Sequence, residues 1–218
     1  AGTLLDPAAL TIGYARRFTD YKRPELIFRN PERLASILTA LRRPVQIVFA
    51  GKAHPADHSG KRHLQDIFNR AIDPAFGGRI AFVEDYDFHV AHFLVQGCDV
   101  WLNTPRKPFE ACGTSGMKAI LNGVAQLTTL DGWVVEAEDK GIGKIFGHRY
   151  VNGKIGSEFD RYMKDDAEEL YRSLEEMTAL YYTTFNNKLN LSSGWIDLMI
   201  NCIATGAHFN TYRMLDEY

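Results

Sequence analysis

One stretch of nine residues combines the groups that phosphate and sugar chemistry need. It runs from Glu110 to Lys118 and reads Glu-Ala-Cys-Gly-Thr-Ser-Gly-Met-Lys, so a carboxylate, two glycines and a lysine lie close together. An apolar run that favours a helix follows at 119–121. A glycine-rich turn that leads into a helix leaves backbone N–H groups free to hold a phosphate. The stretch therefore predicts a site for a phosphorylated cofactor beside a polar substrate.

A second group of charges lies near the start of the chain, where residues 16–23 read Arg-Arg-Phe-Thr-Asp-Tyr-Lys-Arg. An arginine guanidinium presents a planar fork to phosphate oxygens, and a lysine adds a compact charge. A cluster of this kind also occurs as a solvated surface patch, just as a lysine in a helix is often only a surface residue. From the residues alone both interpretations stand.

The composition is ordinary for a globular protein, with 45% hydrophobic and 24% charged residues in a chain long enough to bury a core. A net charge of −2 gives no reason to expect a nucleic-acid or membrane partner. Three cysteines without a Cys-x-x-Cys pair favour a reducing, cytoplasmic location. The histidine pair with helical spacing, His89 and His92, lacks an obvious third ligand, so we expect no metal site.

Short apolar runs alternate with helical patterns along the chain. The predicted strands are 11–15, 45–50, 80–83, 99–103, 126–129 and 133–136, and the predicted helices are 25–42 with a kink or a restart at Asn30-Pro31, 63–72, 88–96, 115–121, 165–188 and 194–207. This alternation predicts an α/β fold with a doubly wound parallel sheet. Ligands of such sheets bind at the carboxyl ends of the strands, where Arg16, Arg17, Tyr86 and the 110–118 stretch should converge.

The motifs resemble those of the glycogen/α-glucan (maltodextrin) phosphorylase family. The 110–118 stretch resembles the family's Glu-Ala-Ser-Gly-Thr-x-x-Met-Lys, and the family's Asn-Gly and Thr-Leu-Asp-Gly follow here at 122–123 and 129–132. Residues 16–23 resemble its Lys/Arg-Arg-x-x-x-Tyr-Lys-Arg element. Its Glu-Asn-Tyr is matched at 84–86 and its closing Phe-Ser-x-x-Arg-Met at 209–214. The matches keep family order, and Ser115-Gly116 is typical of the shorter prokaryotic branch.

The resemblance implies that residues 1–218 are the Rossmann-like C-terminal domain of a two-domain glycosyltransferase of the GT-B type. The helices of 160–218 would pack on this domain, and the N-terminal domain of the same chain would lie outside the sequence. The implied reaction is phosphorolysis of α-1,4-glucan with retention, in which inorganic phosphate releases glucose 1-phosphate. The cofactor would be pyridoxal 5′-phosphate, and we expect the isolated domain to be inactive.

The resemblance also assigns roles to single residues. Lys118 is expected to form a Schiff base with pyridoxal 5′-phosphate and, with the two residues that bind the substrate phosphate, makes up the catalytic set of Lys118, Arg17 and Lys22. The remaining cofactor contacts are Arg16, Tyr86, Thr114 and Ser115. The expected sugar contacts are Glu110, Ala111, Cys112, Gly113 and Tyr21. Cys112 replaces the family's serine and, at the start of a predicted helix near basic groups, is expected to be a reactive thiol.

Two other functions fit the same architecture. A sugar-nucleotide-dependent glucan synthase would use the basic residues on a nucleotide diphosphate and would need no pyridoxal cofactor. A non-catalytic glucan-binding domain would keep the sugar contacts without an aldehyde-reactive lysine. A pyridoxal absorbance band would distinguish the phosphorylase from both.

Overall fold

The computed structural model describes residues 5–147, 157–183 and 192–218, with only the backbone described for 157–161. The strands are β1 Leu10–Ala15, β2 Val45–Ala50, β3 Ile80–Val83, β4 Val100–Asn103, β5 Ala125–Thr129 and β6 Gly143–Phe146. The α-helices are α1 Pro31–Leu38, α2 His58–Ala71, α3 Phe88–Gly97, α4 Thr114–Ile120, α5 Ser157–Tyr181, α6 Ser193–His208 and α7 Thr211–Glu217. Short 3-10 helices lie at Asp20–Lys22, Pro24–Phe28, Pro74–Phe76 and Gly132–Val135.

The six described strands form one parallel sheet in the order β3-β2-β1-β4-β5-β6. This order confirms the predicted doubly wound α/β fold. The winding reverses between β1 and β4, so their two following loops diverge and leave a crevice at the carboxyl edge. The chain segments after β1 and β4 carry Arg16 and Glu110, which the sequence placed at that edge.

Both faces of the sheet are covered by apolar clusters. In β1, Leu10, Ile12 and Tyr14 belong to the largest cluster, which also contains buried side chains of α1, α2 and α5. Ala15 belongs instead to a separate cluster that includes Ala119 of α4 and partly buried residues of α3. Because successive side chains of a strand point to opposite faces, this division indicates helices on both sides of the sheet.

The prediction differs from the structure at several elements. The predicted strand at 133–136 is wrong, because Gly132–Val135 is a 3-10 helix that starts from Gly132 at a φ of 60° and buries Trp133 and Val134. Strand β6 was not predicted at all. The restart predicted at Asn30-Pro31 is confirmed, since Asn30 caps α1 by accepting from the Arg33 N–H at 3.0 Å. The predicted helix 25–42 differs in that its first part is the 3-10 helix Pro24–Phe28 and that α1 ends at Leu38.

The long C-terminal helices contribute to the core. Helix α5 begins at Ser157 rather than at residue 165 and ends at Tyr181, and positions 184–188 of the predicted helix lie outside the described residues. Its side chains Leu170, Leu174 and Met177 are fully or almost fully buried in the largest cluster. In the described part of the chain, none of the helices combines the length and the apolarity that crossing a membrane requires.

Candidate functional site

Three charged side chains meet at the carboxyl edge of the sheet. Arg16 follows β1, Lys22 ends the 3-10 helix Asp20–Lys22, and Glu110 lies in the loop between β4 and α4. The Lys22 ammonium contacts Glu110 Oε2, and Arg16 Nη1 lies 3.6 Å from the same oxygen. All three side chains are at most 12% exposed. Burial keeps water from screening these charges, so the cluster is a strongly polar site inside the crevice.

The Arg16 guanidinium has unused hydrogen-bonding capacity. Among the described residues, its Nε and Nη1 atoms are buried and have no hydrogen-bond partner. A buried guanidinium donor is normally satisfied, so these atoms fit an anion. The positive charge of Arg16 also acts on Tyr86. Burial raises the pKa of the Tyr86 hydroxyl, and attraction to the Arg16 cation partly offsets that rise. The two predicted cofactor contacts therefore lie near each other.

The Glu110 loop is braced by the segment that follows β5. The Glu110 N–H donates to Asp131 Oδ2 at 2.9 Å, and the Gly132 N–H donates to Oδ1 of the same carboxylate at 2.9 Å. The Trp133 N–H donates to the Cys112 carbonyl at 2.9 Å. A Cβ at Gly132 would lie 2.3 Å from the Cys112 carbonyl oxygen, so only glycine allows this approach.

Helix α4 lies close to Trp133 because its third residue is a glycine. A Cβ at Gly116 would stand 2.9 Å from both Trp133 Nε1 and Gln126 Oε1. One residue earlier, Ser115 Oγ accepts from Trp101 Nε1 at 3.3 Å. Ala119 and Ile120 of α4 are fully buried, whereas Lys118 is exposed. Within the described ranges, the Lys118 ammonium makes no hydrogen bond and no ion pair, so it is available to a ligand.

The structure thus brings some predicted site residues together and leaves others apart. Tyr21 is half-buried beside the charged cluster, with its ring centroid 4.7 Å from Lys22 Nζ. Gly113 begins α4 with a φ of 85°. Between described residues, no side-chain hydrogen bond or ion pair joins Lys118 or Arg17 to the cluster. The predicted site residues with exposed side chains are Arg17, Ala111, Thr114 and Lys118.

Comparison with known proteins decides the family. The family model described as carbohydrate phosphorylase matches residues 2–218. The chain belongs to the carbohydrate phosphorylase family. Glycogen phosphorylase of Aquifex aeolicus is 51% identical over 219 residues, which cover 100% of this chain and 30% of that protein. Maltodextrin phosphorylase of Thermococcus litoralis is 42% identical over 216 residues, covering 98% of this chain and 25% of that protein.

A third relative, glycogen phosphorylase of Mycobacterium bovis, is 51% identical over 226 residues, covering 99% of this chain and 25% of that protein. The chain therefore spans between 25% and 30% of the length of these three phosphorylases.

One expectation about this phosphorylase domain is wrong. Cys112 does not have the depressed pKa of an activated thiol. Burial raises the pKa of the Cys112 thiol, and the nearby Glu110 and Glu136 carboxylates raise it further. Burial is the largest cause of this rise, and the two carboxylates act in the same direction.

The sequence missed several residues that support the phosphorylase site. Arg23 was considered only as a member of a basic group that could be a phosphate site or a solvated patch, yet it is 2% exposed and pairs with Asp166 of α5. Thr104 is buried between the loops that follow β1 and β4. Arg23 and Asp131 each stand in a segment that carries the family resemblance, which could have drawn attention to them. Asp166 is one acidic residue among many in a long amphipathic helix, and nothing in the pattern distinguishes it.

Proposed function

We propose that this chain is the C-terminal domain of a longer α-glucan phosphorylase. The enzyme would cleave a terminal α-1,4-glucosyl bond with inorganic phosphate and release glucose 1-phosphate with retention. Membership of the family and the names of the related proteins support this proposal. The main supporting observation is that the charged side chains of Arg16, Lys22 and Glu110 lie together in a buried cluster. Phosphorolysis needs a phosphate and a sugar held in contact, and such a cluster offers cations for the phosphate beside a carboxylate for the sugar.

The charges of the cluster divide naturally between the two substrates. The Lys22 ammonium and the exposed Arg17 would hold the substrate phosphate, and the buried Lys22 charge stabilises an anion more strongly there than in water. The Glu110 carboxylate is an acceptor only, which suits sugar hydroxyls. Holding both substrates at adjacent points lets a phosphate oxygen reach the anomeric carbon and lets a phosphate proton reach the leaving glycosidic oxygen.

The chain also fits the pyridoxal 5′-phosphate on which we propose the enzyme depends. Lys118 would hold the cofactor covalently through the nitrogen of its exposed amino group. Arg16, Tyr86, Thr114 and Ser115 would bind its phosphate group, and the two buried Arg16 nitrogens that make no hydrogen bond to a described residue support that placement. When bound, the cofactor supplies a phosphate that can exchange a proton with the substrate phosphate.

The remaining part of the site would come from another domain. Because the chain spans at most 30% of the related phosphorylases compared above, we infer that the N-terminal domain of the same protein covers the crevice. Closure would exclude water, which phosphorolysis needs in order to compete with hydrolysis. The isolated chain would therefore be inactive, and its activity would belong to a cytoplasmic enzyme that acts on glucan.

The test is to supply full-length protein with maltodextrin, inorganic phosphate and pyridoxal 5′-phosphate and to measure glucose 1-phosphate. A parallel reaction offers a nucleoside-diphosphate glucose as donor, and a third measures maltodextrin binding alone. We expect phosphate-dependent release of glucose 1-phosphate, and none from the 218-residue chain. Transfer from the nucleotide sugar would support a synthase, and binding without either reaction would support a non-catalytic glucan-binding domain. Turnover by the isolated chain near the full-length rate would contradict the interdomain site.

A further inference from the structure

Two loops of the site hold each other through reciprocal hydrogen bonds. Arg23 Nε donates to the Thr104 carbonyl at 2.9 Å, and Arg23 Nη2 donates to the Pro105 carbonyl at 3.2 Å. In the opposite direction, the Thr104 hydroxyl lies 2.8 Å from the Lys22 carbonyl and 3.1 Å from the Arg23 carbonyl. We call this set, Lys22, Arg23, Thr104 and Pro105, the loop clasp. It joins the segment after β1 to the segment after β4.

The clasp is buried and is anchored from a third element. Arg23 is 2% exposed and Thr104 is 1% exposed. Asp166 of α5 is fully buried, and its Oδ2 accepts from Arg23 Nη1 at 2.6 Å. A buried guanidinium that lost its carboxylate would be left with an uncompensated charge, so Asp166 fixes where Arg23 lies. The Tyr14 hydroxyl adds another donor to the Lys22 carbonyl at 3.2 Å.

The clasp ties together the two halves of the charged cluster. Lys22 belongs to one clasped loop, and Glu110 lies further along the other. Glu110 has its own brace, since its N–H is bound by Asp131. Loss of the clasp would therefore displace the Lys22 turn while Glu110 stays in place.

We propose that Thr104, together with Arg23, is a positioning residue that holds Lys22 of the phosphate site at a fixed place relative to Glu110 of the sugar site. This inference rests on the function proposed above. Thr104 touches neither substrate in this scheme and acts through its hydrogen bonds to Lys22 and Arg23.

The experiment compares two buried threonines in the full-length enzyme. Thr104→Val removes the clasp hydroxyl at nearly constant volume, and Thr104→Ser restores it. Thr128→Val is the matched control, because Thr128 lies on β5, is fully buried and donates to the Thr129 carbonyl at 3.1 Å. The unfolding midpoint and the steady-state constants for phosphate and for maltodextrin are measured for each variant.

We expect Thr104→Val to raise the KM for phosphate about tenfold, since a small displacement of a positioning group has large kinetic effects. The KM for maltodextrin should change by less than about twofold, because the Glu110 brace is intact. Thr104→Ser should be close to wild type. Thr128→Val should lower stability as much as Thr104→Val does and leave both constants unchanged.

Equal phosphate constants for Thr104→Val and Thr128→Val would overturn the inference while leaving the proposed function in place. A wild-type enzyme without phosphorolysis would instead overturn the proposed function. If Thr104→Val does not fold, Arg23→Lys decides, since it keeps the positive charge that faces Asp166 but removes the guanidinium donors to the Thr104 and Pro105 carbonyls. A raised KM for phosphate in that variant supports the clasp, and an unchanged value overturns it.

Discussion

Lys22 and Glu110 form a buried ion pair across the crevice between the loops that follow β1 and β4. In the proposed enzyme one of them serves the phosphate and the other serves the sugar. Arg16 approaches the same carboxylate oxygen at 3.6 Å. A phosphate in this site would draw on the same cations as Glu110, so the two substrates' binding residues are coupled by charge.

Glu110→Gln should therefore have opposite effects on the two substrates. Glu110 is a like-charge neighbour of the bound phosphate, and removing its charge should favour phosphate binding by about 1 kcal/mol. The KM for phosphate is therefore expected to fall a few-fold. The kcat/KM for maltodextrin should fall at least about tenfold, because hydrogen bonds to a charged acceptor are worth about 1.5–3 kcal/mol. Steady-state kinetics of the full-length enzyme measure both. Glu32→Gln, an exposed change on α1, is the control, and a raised KM for phosphate in Glu110→Gln would contradict the coupling.

Lys118 should carry the cofactor. Its amino group is exposed and has no hydrogen-bond or ion-pair partner among the described residues, so once it loses a proton the neutral amine is free to react with an aldehyde. Borohydride reduction of the full-length holoenzyme should add one phosphopyridoxyl group to the peptide that contains Lys118, as read by mass spectrometry. Lys118→Arg should abolish the label. A label on Lys107 or Lys140 instead would show that the assignment is wrong.

Arg17→Ala should impair phosphate use without weakening the fold. The Arg17 side chain is exposed, so its loss should change the free energy of unfolding by less than about 1 kcal/mol. We expect the KM for phosphate to rise about tenfold or more, as for a lost charge-assisted hydrogen bond. Arg29→Ala, which also removes an exposed arginine, should leave the kinetics unchanged. A large loss of stability with normal phosphate kinetics would indicate a structural role instead.

Gly116→Ala should destabilise the domain. The added Cβ would meet Trp133 Nε1 and Gln126 Oε1 at 2.9 Å, and relief of such overpacking typically costs about 1–3 kcal/mol. Gly97→Ala is the matched control, because it also lies in a helix and its Cβ would meet nothing within 4 Å. Chemical denaturation of both variants measures the difference. Equal unfolding midpoints for Gly116→Ala and Gly97→Ala would mean that α4 can move away from Trp133 without loss of stability.

Cys112 should react slowly with iodoacetamide at neutral pH. Its raised pKa leaves less thiolate at a given pH, so the rate should still be increasing with pH above the ordinary thiol pKa of about 8.5. Glu136→Gln should lower the pKa and speed alkylation. Cys98 and Cys202, whose pKa values burial raises to about 12, should react more slowly still. Fast labelling of Cys112 at pH 7 would contradict these acidic surroundings.

The pattern of apolar residues along the chain was sufficient to predict elements whose period and length follow directly from their burial. The runs 45–50 and 80–83 were predicted with the bounds that β2 and β3 have. Strands of a parallel sheet covered on both faces are short, nearly continuous apolar runs, so the ends of the run mark the ends of the strand. At 133–136 the β-branched residues favoured a strand, but Asp131 and Gly132 turn the chain and Trp133 packs on α4. Strand β6 has only one buried residue, Phe146, and so gives no clear periodic signal.

The candidate site shows the same division. Motifs marked Arg16, Lys22 and Glu110, and the structure places them together. The supports were not visible, since Thr104 and Asp166 act through partners far away in sequence. Their roles depend on the carbonyl or guanidinium group that the fold brings next to them. The spacing of residues along the chain does not predict these neighbours.

The strand order has a consequence for how the protein is made. The two cations of the cluster are synthesised with β1, yet β1 gains its neighbour β4 only after the whole β2–β3 half has been made. Closing so long a loop is slow compared with local pairing. A nascent chain that has been synthesised as far as β3 contains Arg16 and Lys22 but not yet Glu110. Asp166, the partner of the Arg23 guanidinium, is synthesised later still. The crevice is therefore completed late during synthesis, after most of its basic residues have already left the ribosome.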